Sequence, residues 1–190
     1  NVGYSGEVQY YPWARVLHMA RAGKVDGIIG AYDSKERREY LYFTNPIDTL
    51  SGRFFGTTKS TIKKITPQNL KGLKVGVGRG YVSHVDQELQ KAYTVVLEVD
   101  NVKNLEQLFA GKLDLVLDNG KTVYYYIKMY YPENLKRLMP IEGFYVDKPV
   151  YAALSKKGTR AKELVTAFNK GLAIMHANGS YGALIQKYGM

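Results

Sequence analysis

The sequence predicts a mixed α/β protein built from two lobes of similar construction. Apolar, strand-like runs alternate with helix-like segments along the 190 residues, a pattern typical of α/β proteins. A segment is also nearly repeated, because residues 22–30 read AGKVDGIIG and residues 110–118 read AGKLDLVLD. Finally, the composition changes at 48–70 and at 142–154, which predicts that the chain crosses between the lobes twice.

The first elements follow from local signals. The run VQYY at 8–11 predicts a short strand. Pro12 can open a helix, and Gly23 ends it in a left-handed conformation. The apolar stripe of that helix is Trp13, Val16, Leu17 and Ala20. The run VDGIIG at 25–30 then predicts a buried strand.

The remaining elements continue the alternation. Apolar runs predict strands at 73–78, 95–99, 113–118 and 150–154. Helical periodicity predicts helices at 80–93, 104–110, 122–131 and 160–177, with a short helix near the C-terminus.

The repeat is a helix–turn–strand unit in which Gly closes the helix, Lys lies in the turn and Asp precedes an apolar strand. The continuous apolar run predicts burial on both faces, as in parallel sheets. Any α/β protein can use this turn twice, so two equivalent lobes are one of two interpretations. Together with the composition changes, the repeat predicts a discontinuous first lobe (1–51 plus 148–190) and a second lobe (52–147). Ligands bind outside the carboxyl ends of parallel strands, so we expect a cleft there.

Composition excludes several classes of function. The net charge is +10, but the 27 basic residues are scattered and form no long block, so we expect no nucleic-acid partner. The absence of cysteine excludes disulfides and thiolate chemistry. No apolar run is long enough for a membrane span, and no signal peptide begins the chain, which predicts a mature or trimmed form.

The sequence resembles the bacterial extracellular solute-binding proteins of family 3, the polar-amino-acid-type periplasmic subunits of ABC importers. Matching stretches run in the family's order, from PWARVLHMARAGKVDGIIGAYDSKERREYLYFTNPI through LKGLKVGVGRGYVSHVDQEL and LFAGKLDLVLDNGKTVYYYIK to VYAALSKKGTRAKELVTAFNKGLAIMHANGSYGALIQKYG. The resemblance implies a two-lobed, periplasmic-binding-protein-like (type II) fold with a hinge and an inter-lobe cleft. It also implies an N-terminal strand and helix that this sequence lacks. A lobe without that strand would have an open edge that invites dimerisation.

The resemblance implies a function. We expect an extracytoplasmic protein, periplasmic or membrane-associated, that captures a small carboxylate-bearing solute, an amino acid or a derivative, by hinge closure. The closed form would deliver it to a membrane ABC permease. The alternative is a ligand-sensing domain of a receptor or signalling protein with the same fold. No cofactor or metal is implied.

Arg37 is the main candidate for a ligand-binding residue. In the family, the Arg of the corresponding segment binds the ligand's α-carboxylate, and a guanidinium suits that role because it donates two parallel hydrogen bonds. From the residues alone, Arg37 or Arg38 is equally an exposed surface charge.

The loop before Arg37 supplies further candidates. The family favours small hydroxyl residues and backbone amides here, and this chain has Gly30, Tyr32 and Ser34. Tyr32 replaces a Thr, so its ring fills space or stacks on the ligand. Glu36 is interpreted as a helix-start carboxylate rather than a ligand contact.

Two candidates open the second lobe. Gly80 and Tyr81 follow the strand at 73–78, where the family directs backbone amides at the ligand carboxylate. A dinucleotide-binding loop is the rival interpretation, but position 83 is Ser where that motif requires Gly or Ala.

Asp118 and Asn119 end the repeated strand of the second lobe. The family places an Asp for the ligand's ammonium at the position of Asn119, and a neutral amide binds an ammonium less strongly. Either Asp118 takes that role or the ligand is not a standard α-amino acid. Asp118 is otherwise interpreted as a strand-end carboxylate that caps the next helix.

The remaining candidates are weaker. Trp13 is interpreted as core packing, with a cleft role as the alternative. The three histidines (His18, His84 and His176) have no metalloprotease spacing, and no G-x-S-x-G motif occurs, so we expect a binding protein rather than an enzyme. A few relatives with this fold are dehydratases.

Overall fold

A computed structural model describes residues 2–79 and 87–188. The chain forms two compact units. Unit 1 contains the residues up to Tyr11, Arg15–Thr49 and the residues from Pro149 onwards, and unit 2 contains Pro12–Ala14 and Leu50–Lys148.

Helices and strands alternate through both units. The helices are α1 (Trp13–Ala22), α2 (Lys35–Arg38), α3 (Gln87–Gln90), α4 (Asn101–Phe109), α5 (Gly120–Tyr130), α6 (Ala161–Ala177) and α7 (Ser180–Tyr188), with a 3₁₀ turn at Pro132–Arg137. The strands are β1 (Gly27–Ala31), β2 (Leu41–Thr57), β3 (Lys74–Gly78), β4 (Thr94–Glu98), β5 (Leu115–Asn119), β6 (Leu138–Pro140) and β7 (Val146–Ser155). Strands β2 and β7 each contain residues of both units.

In unit 1, β1 pairs antiparallel with β7, from Gly27 opposite Leu154 to Ala31 opposite Tyr151. Gly30 is an extra residue in this pairing and has a φ of 85°. Such a bulge changes the direction of the chain, and a glycine accommodates the positive φ without strain. The chain leaves β1 at this point towards the candidate arginine.

In unit 2 the sheet order is β2–β5–β3–β4, with β3 parallel to β4 and β5, and with β2 antiparallel to β5. Strand β6 pairs with β2. Successive residues of β5 pack on opposite faces, because Leu115 and Leu117 belong to one buried cluster and Val116 to the other. The second cluster contains the inward residues of α4 and α5, so Val116 marks the face that these helices cover.

The repeated segments form the same motif. In the first copy, the N–H of Gly23 donates to Ala20 and that of Lys24 to Met19; in the second, Gly111 donates to Leu108 and Lys112 to Gln107. Gly23 and Gly111 have φ values of 73° and 71°. Both copies are therefore Schellman caps, which end a helix with a left-handed glycine. The helix–turn–strand interpretation of the repeat is confirmed.

Three expectations about strands were wrong. Residues 8–11 form no strand, because a β-prone run without a pairing partner does not form a ladder; Val8 and Tyr10 are 61% and 91% accessible, and Tyr11 is half-buried. Strand β2 continues through Thr57, into the segment 48–70 that composition indicated as turn-rich. Its polar residues are accommodated because the strand pairs with the buried β5.

The third wrong expectation was that both strands of the repeat are buried on both faces. Every residue of β5 is buried, as expected for a strand in a parallel pair. Strand β1 is instead antiparallel to β7, and Ile29 is 59% exposed. An apolar run predicts a strand but not how many of its faces are covered.

Candidate functional site

In unit 1, the chain between β1 and α2 holds three of the candidates together. Ser34 is the N-cap of α2, and its hydroxyl accepts a hydrogen bond from the Arg37 backbone N–H at 3.2 Å. This bond satisfies an otherwise unpaired amide of the first helical turn. The cap fixes Arg37 one turn after Tyr32, the residue that follows β1.

The Arg37 side chain is half-buried and returns to the loop that precedes it. Its Nη1 donates to the Tyr32 carbonyl oxygen at 2.8 Å. A guanidinium is planar and permanently charged, so a hydrogen bond at one edge restricts the orientation of the whole group. Tyr32, Ser34 and Arg37 thus form one local arrangement, which we call the Arg37 loop.

Arg38 differs from its neighbour. Its guanidinium bonds both carboxylate oxygens of Asp33, with Nε at 2.7 Å from Oδ1, and it is exposed. The hydrogen bond and charge of Asp33 raise the pKa of the Arg38 guanidinium. Glu36 pairs with Arg21 at 2.7 Å on the surface. Arg38 and Glu36 therefore lie in exposed ion pairs.

Unit 1 also contains an open pocket beside this loop, with a volume of about 330 Å³. It is lined by Asp33, Arg38, Leu41, Tyr42, Phe43, Thr44, Tyr151 and Lys156. Lys156 donates to the Arg38 carbonyl oxygen, and its ammonium lies 4.9 Å from the centre of the Tyr42 ring. Arg37 is not among the lining residues.

In unit 2, Asn119 connects β5 to α5. Its side-chain oxygen accepts from the Thr122 N–H at 3.1 Å and thereby caps α5. The sequence suggested Asp118 as that cap, so this alternative was wrong by one residue. Among the described residues, the Asn119 Nδ2 group is buried without a hydrogen-bond partner.

Asp118 is buried at the carboxyl end of β5. Its Oδ1 accepts from the Asn119 N–H at 2.6 Å, and its carboxyl group also bonds to the Asn101 side chain. Burial raises the pKa of Asp118 from 3.8 to about 7, and these two hydrogen bonds oppose that rise. Its Oδ2 has no partner in the part of the chain that the structure describes. A carboxyl group in this state can bind a cation or donate a proton.

The sequence did not single out two buried amides of α4, one of which bonds this carboxyl. Asn101 and Asn104 lie on the inward face of α4 with Leu105 and Leu108, where helical spacing would favour apolar residues. Asn104 is fully buried, and within the described ranges neither of its side-chain polar atoms is bonded. The sequence does carry a signal for these two residues, because they are polar and lie three positions apart on the otherwise apolar side of a helix.

Gly80 and Tyr81 lie outside the described residues. Trp13 begins α1 and is half-buried. The structure therefore brings the candidates together in two groups, the Arg37 loop of unit 1 and the Asp118–Asn119 strand end of unit 2.

Among residues 2–79 and 87–188, no group of His, Cys, Asp or Glu is arranged to hold a metal ion. Within the same residues, no helix has the length and apolarity needed to cross a bilayer.

The chain belongs to the bacterial extracellular solute-binding proteins, family 3, whose model matches residues 1–190. The resemblance inferred from sequence is thereby confirmed. No curated protein sequence matches the chain closely enough to be counted as a relative.

Solved structures share this fold. An amino acid ABC transporter substrate-binding protein from Streptococcus pneumoniae, bound to L-arginine, is 20% identical, with a TM-score of 0.80 over 96% of this chain and 75% of that one. A histidine kinase sensor domain with similarity to periplasmic binding proteins is 24% identical, with a TM-score of 0.79 over 93% and 75%. The ancestral amino acid-binding protein AncCDT-1, a precursor of cyclohexadienyl dehydratase, is 20% identical, with a TM-score of 0.78 over 96% and 76%. At these identities the similarity shows the type II periplasmic-binding-protein fold.

Proposed function

We propose that this protein captures a small carboxylate-bearing solute, an amino acid or a close derivative, and that Arg37 binds its carboxylate. The observation that carries the proposal is the anchored, half-buried guanidinium of Arg37, in a chain of the solute-binding family. A permanently charged fork held in one orientation suits a planar carboxylate, because both hydrogen bonds form with little loss of side-chain entropy.

We assign the opposite end of the ligand to Asp118 and Asn119. A ligand ammonium would donate a hydrogen bond to Oδ2 of Asp118, which no described residue bonds, and it would lower the pKa of that carboxyl below about 7 because an opposite charge favours the ionised form. Both Asn119 and Tyr32 depart from the family pattern, so we extend the ligand class to amino-acid derivatives.

We further propose that the ligand favours a closed state of the two units, which a membrane ABC permease recognises outside the cytoplasm. The family assignment and the amino acid transporter protein of the same fold support this proposal. Strands β2 and β7 are the connections at which a hinge would operate, since each contains residues of both units. In this scheme the protein binds its solute without chemical conversion.

A sensory role is the second candidate. It is favoured by the histidine kinase sensor domain that shares the fold at a TM-score of 0.79. The same ligand site would serve both roles. A neighbouring permease gene supports transport, whereas fusion to a transmembrane signalling segment supports sensing.

A thermal-shift screen with amino acids, small carboxylates and amines tests the binding proposal. We expect an amino acid to raise the melting temperature of the parent protein, since a ligand that binds only the native state stabilises it. Arg37→Ala should lose about 2–4 kcal/mol of binding free energy. Arg38→Ala is the matched control and should retain binding, because Arg38 pairs with Asp33 on the surface.

Stabilisation by a carboxylate that persists in Arg37→Ala would refute the assigned role of Arg37. Stabilisation only by uncharged or cationic compounds would refute the carboxylate class. Conversion of a bound compound, followed by mass spectrometry, would replace the binding role with a catalytic one.

A further inference from the structure

Helix α5 has an outward face of unusual composition. Tyr125 and Met129 are each 59% exposed, and Lys121 and Lys128 are also exposed. These four residues follow the spacing i, i+4, i+7 and i+8, which places them along one side of a helix. The opposite side is fully buried in unit 2. The outward face therefore combines large apolar groups with two ammonium groups.

A further aromatic ring widens this face. Tyr124 is 39% exposed and lies three residues after Lys121, on the same side of the helix. The ring of Tyr126 lies 5.7 Å from that of Tyr125 between ring centres and supports it. We define the α5 patch as Lys121, Tyr124, Tyr125, Lys128 and Met129.

The α5 patch itself carries only positive charge, and the acidic residues Asp100 and Glu106 act on Tyr126 and Tyr131 outside it. Residues 119–132 contain two lysines and no acidic residue. The 3₁₀ turn that follows adds the exposed Lys136 and Arg137 against one acid, Glu133. Arg137 donates to the Asn134 side-chain oxygen at 2.6 Å within that turn, and its guanidinium lies 5.4 Å from the centre of the Phe109 ring at the end of α4. The complementary surface is therefore anionic.

We propose that the α5 patch docks unit 2 onto an anionic lipid surface. Tyrosine is favoured at the bilayer interface because its ring is apolar and its hydroxyl remains hydrated. Lysine fits the same boundary, since its methylene stem lies among apolar groups while its ammonium binds lipid phosphates. A helix that presents both kinds of residue on one face is typical of interfacial binding.

A lipid surface fits this composition better than an acidic protein surface. The buried centre of a protein–protein interface is depleted in lysine. In the α5 patch, Lys121 and Lys128 lie between the tyrosines and Met129 rather than at a separate rim. The inference does not depend on the proposed ligand, because neither Arg37 nor the Asp118–Asn119 strand end belongs to the patch.

Co-sedimentation with vesicles tests the proposal. We expect the protein to bind vesicles that contain phosphatidylglycerol, to bind phosphatidylcholine vesicles weakly, and to lose affinity as sodium chloride is added. Lys121→Gln with Lys128→Gln should weaken binding by on the order of ten-fold or more. Tyr125→Ser with Met129→Ser should weaken it to a similar degree, because burial of their apolar surface is lost.

The matched control is Lys162→Gln with Lys170→Gln on α6, which removes the same charge from exposed positions of unit 1. This control should bind vesicles like the parent. Thermal melting of each variant verifies folding, which we expect to persist because the four patch positions are exposed.

Equal losses in the α6 control and the lysine variant would show attraction by net charge alone and would overturn the proposal. Unchanged binding of the Tyr125/Met129 variant would overturn it as well. Failure of the parent protein to bind phosphatidylglycerol vesicles at low salt would also overturn it and would leave an acidic protein as the occupant. In each case a ligand-induced thermal shift remains an independent measure of the proposed function.

Discussion

Two adjacent arginines show how local contacts decide the role of a residue. Arg37 and Arg38 have the same chemistry, and the sequence left either of them as a surface charge. Arg38 forms a solvent-exposed ion pair with Asp33. Arg37 is half-buried, and its guanidinium donates a hydrogen bond to the backbone carbonyl of Tyr32. A backbone carbonyl restricts the orientation of the Arg37 guanidinium, which is permanently charged.

Asp118 links stability to pH. Its pKa is raised from 3.8 to about 7, so the folded protein holds this proton over a range in which the unfolded chain has released it. Between these two values, the contribution of this group to stability falls as pH rises, and the full penalty is present above about 7. The penalty arises because burial disfavours the ionised form of the Asp118 carboxylate.

Asp118→Asn should remove this penalty. We expect the variant to gain about 2–4 kcal/mol relative to the parent at about pH 8, and to gain little at about pH 4, where the parent carboxyl is protonated in both states. Urea unfolding at the two pH values measures the difference. Asp26→Asn is the control at an exposed position and should show the same small effect at both pH values. A gain for Asp118→Asn that does not change with pH would contradict the account.

At the scale of elements, the repeated Schellman caps were the most predictable feature. The sequence A-G-K encodes them locally, because glycine accepts the left-handed conformation and the flanking backbone supplies the hydrogen bonds. Their environments differ in a way that the sequence does not encode. A Cβ added to Gly23 would lie 2.6 Å from Lys157 Cβ, whereas one added to Gly111 would meet nothing within 4 Å.

Gly111→Ala should therefore destabilise the protein by about 1 kcal/mol, the cost of an alanine at positive φ. Gly23→Ala should cost about 1 kcal/mol more, since the Lys157 stem must also move. Gly182→Ala, in the open interior of α7, is the control and should be neutral or slightly stabilising. Denaturant unfolding measures all three, and equal costs at Gly23 and Gly111 would refute the steric argument.

In contrast to the helix caps, the pairing of β-strands could not be predicted from the local sequence pattern. Residues 8–11 have the composition of a strand and form none, whereas the polar stretch Ser51–Arg53 lies within β2. Strand formation depends on a partner distant in sequence, so propensity alone is insufficient. The candidate site likewise combines contacts between neighbours in sequence with contacts between distant residues. Ser34 and Arg37 lie three residues apart and the sequence singled out both as candidates, whereas the bond from Asn101 to Asp118 joins residues of two elements.

At the scale of the whole molecule, the two units differ in the size of their buried side chains. Both hydrophobic clusters of the described residues lie within unit 2 and contain large side chains such as Phe54 and Phe55. Unit 1 buries large side chains such as Leu41 and Ile28 as well, but several of its other buried residues are small, among them Ala20, Ala31 and Ala153. Less apolar area per residue implies a lower free energy of local opening.

Hydrogen exchange should show this difference. We expect amides of β3 and β5 to exchange more slowly than those of β1, because the former lie between two packed clusters. Mass spectrometry of peptides from each strand measures the protection. Equal protection of β1 and β5 would show that the units open together.

The central claim is that Arg37 binds the carboxylate of a small solute. Isothermal titration of the most stabilising amino acid and of its carboxamide, against the parent and Arg37→Ala, tests this claim as a double-mutant cycle. Removal of the ligand carboxylate should weaken binding to the parent by about 2–4 kcal/mol and should have little further effect on Arg37→Ala. Additive losses from the two changes, or equal affinity of the parent for acid and carboxamide, would contradict it.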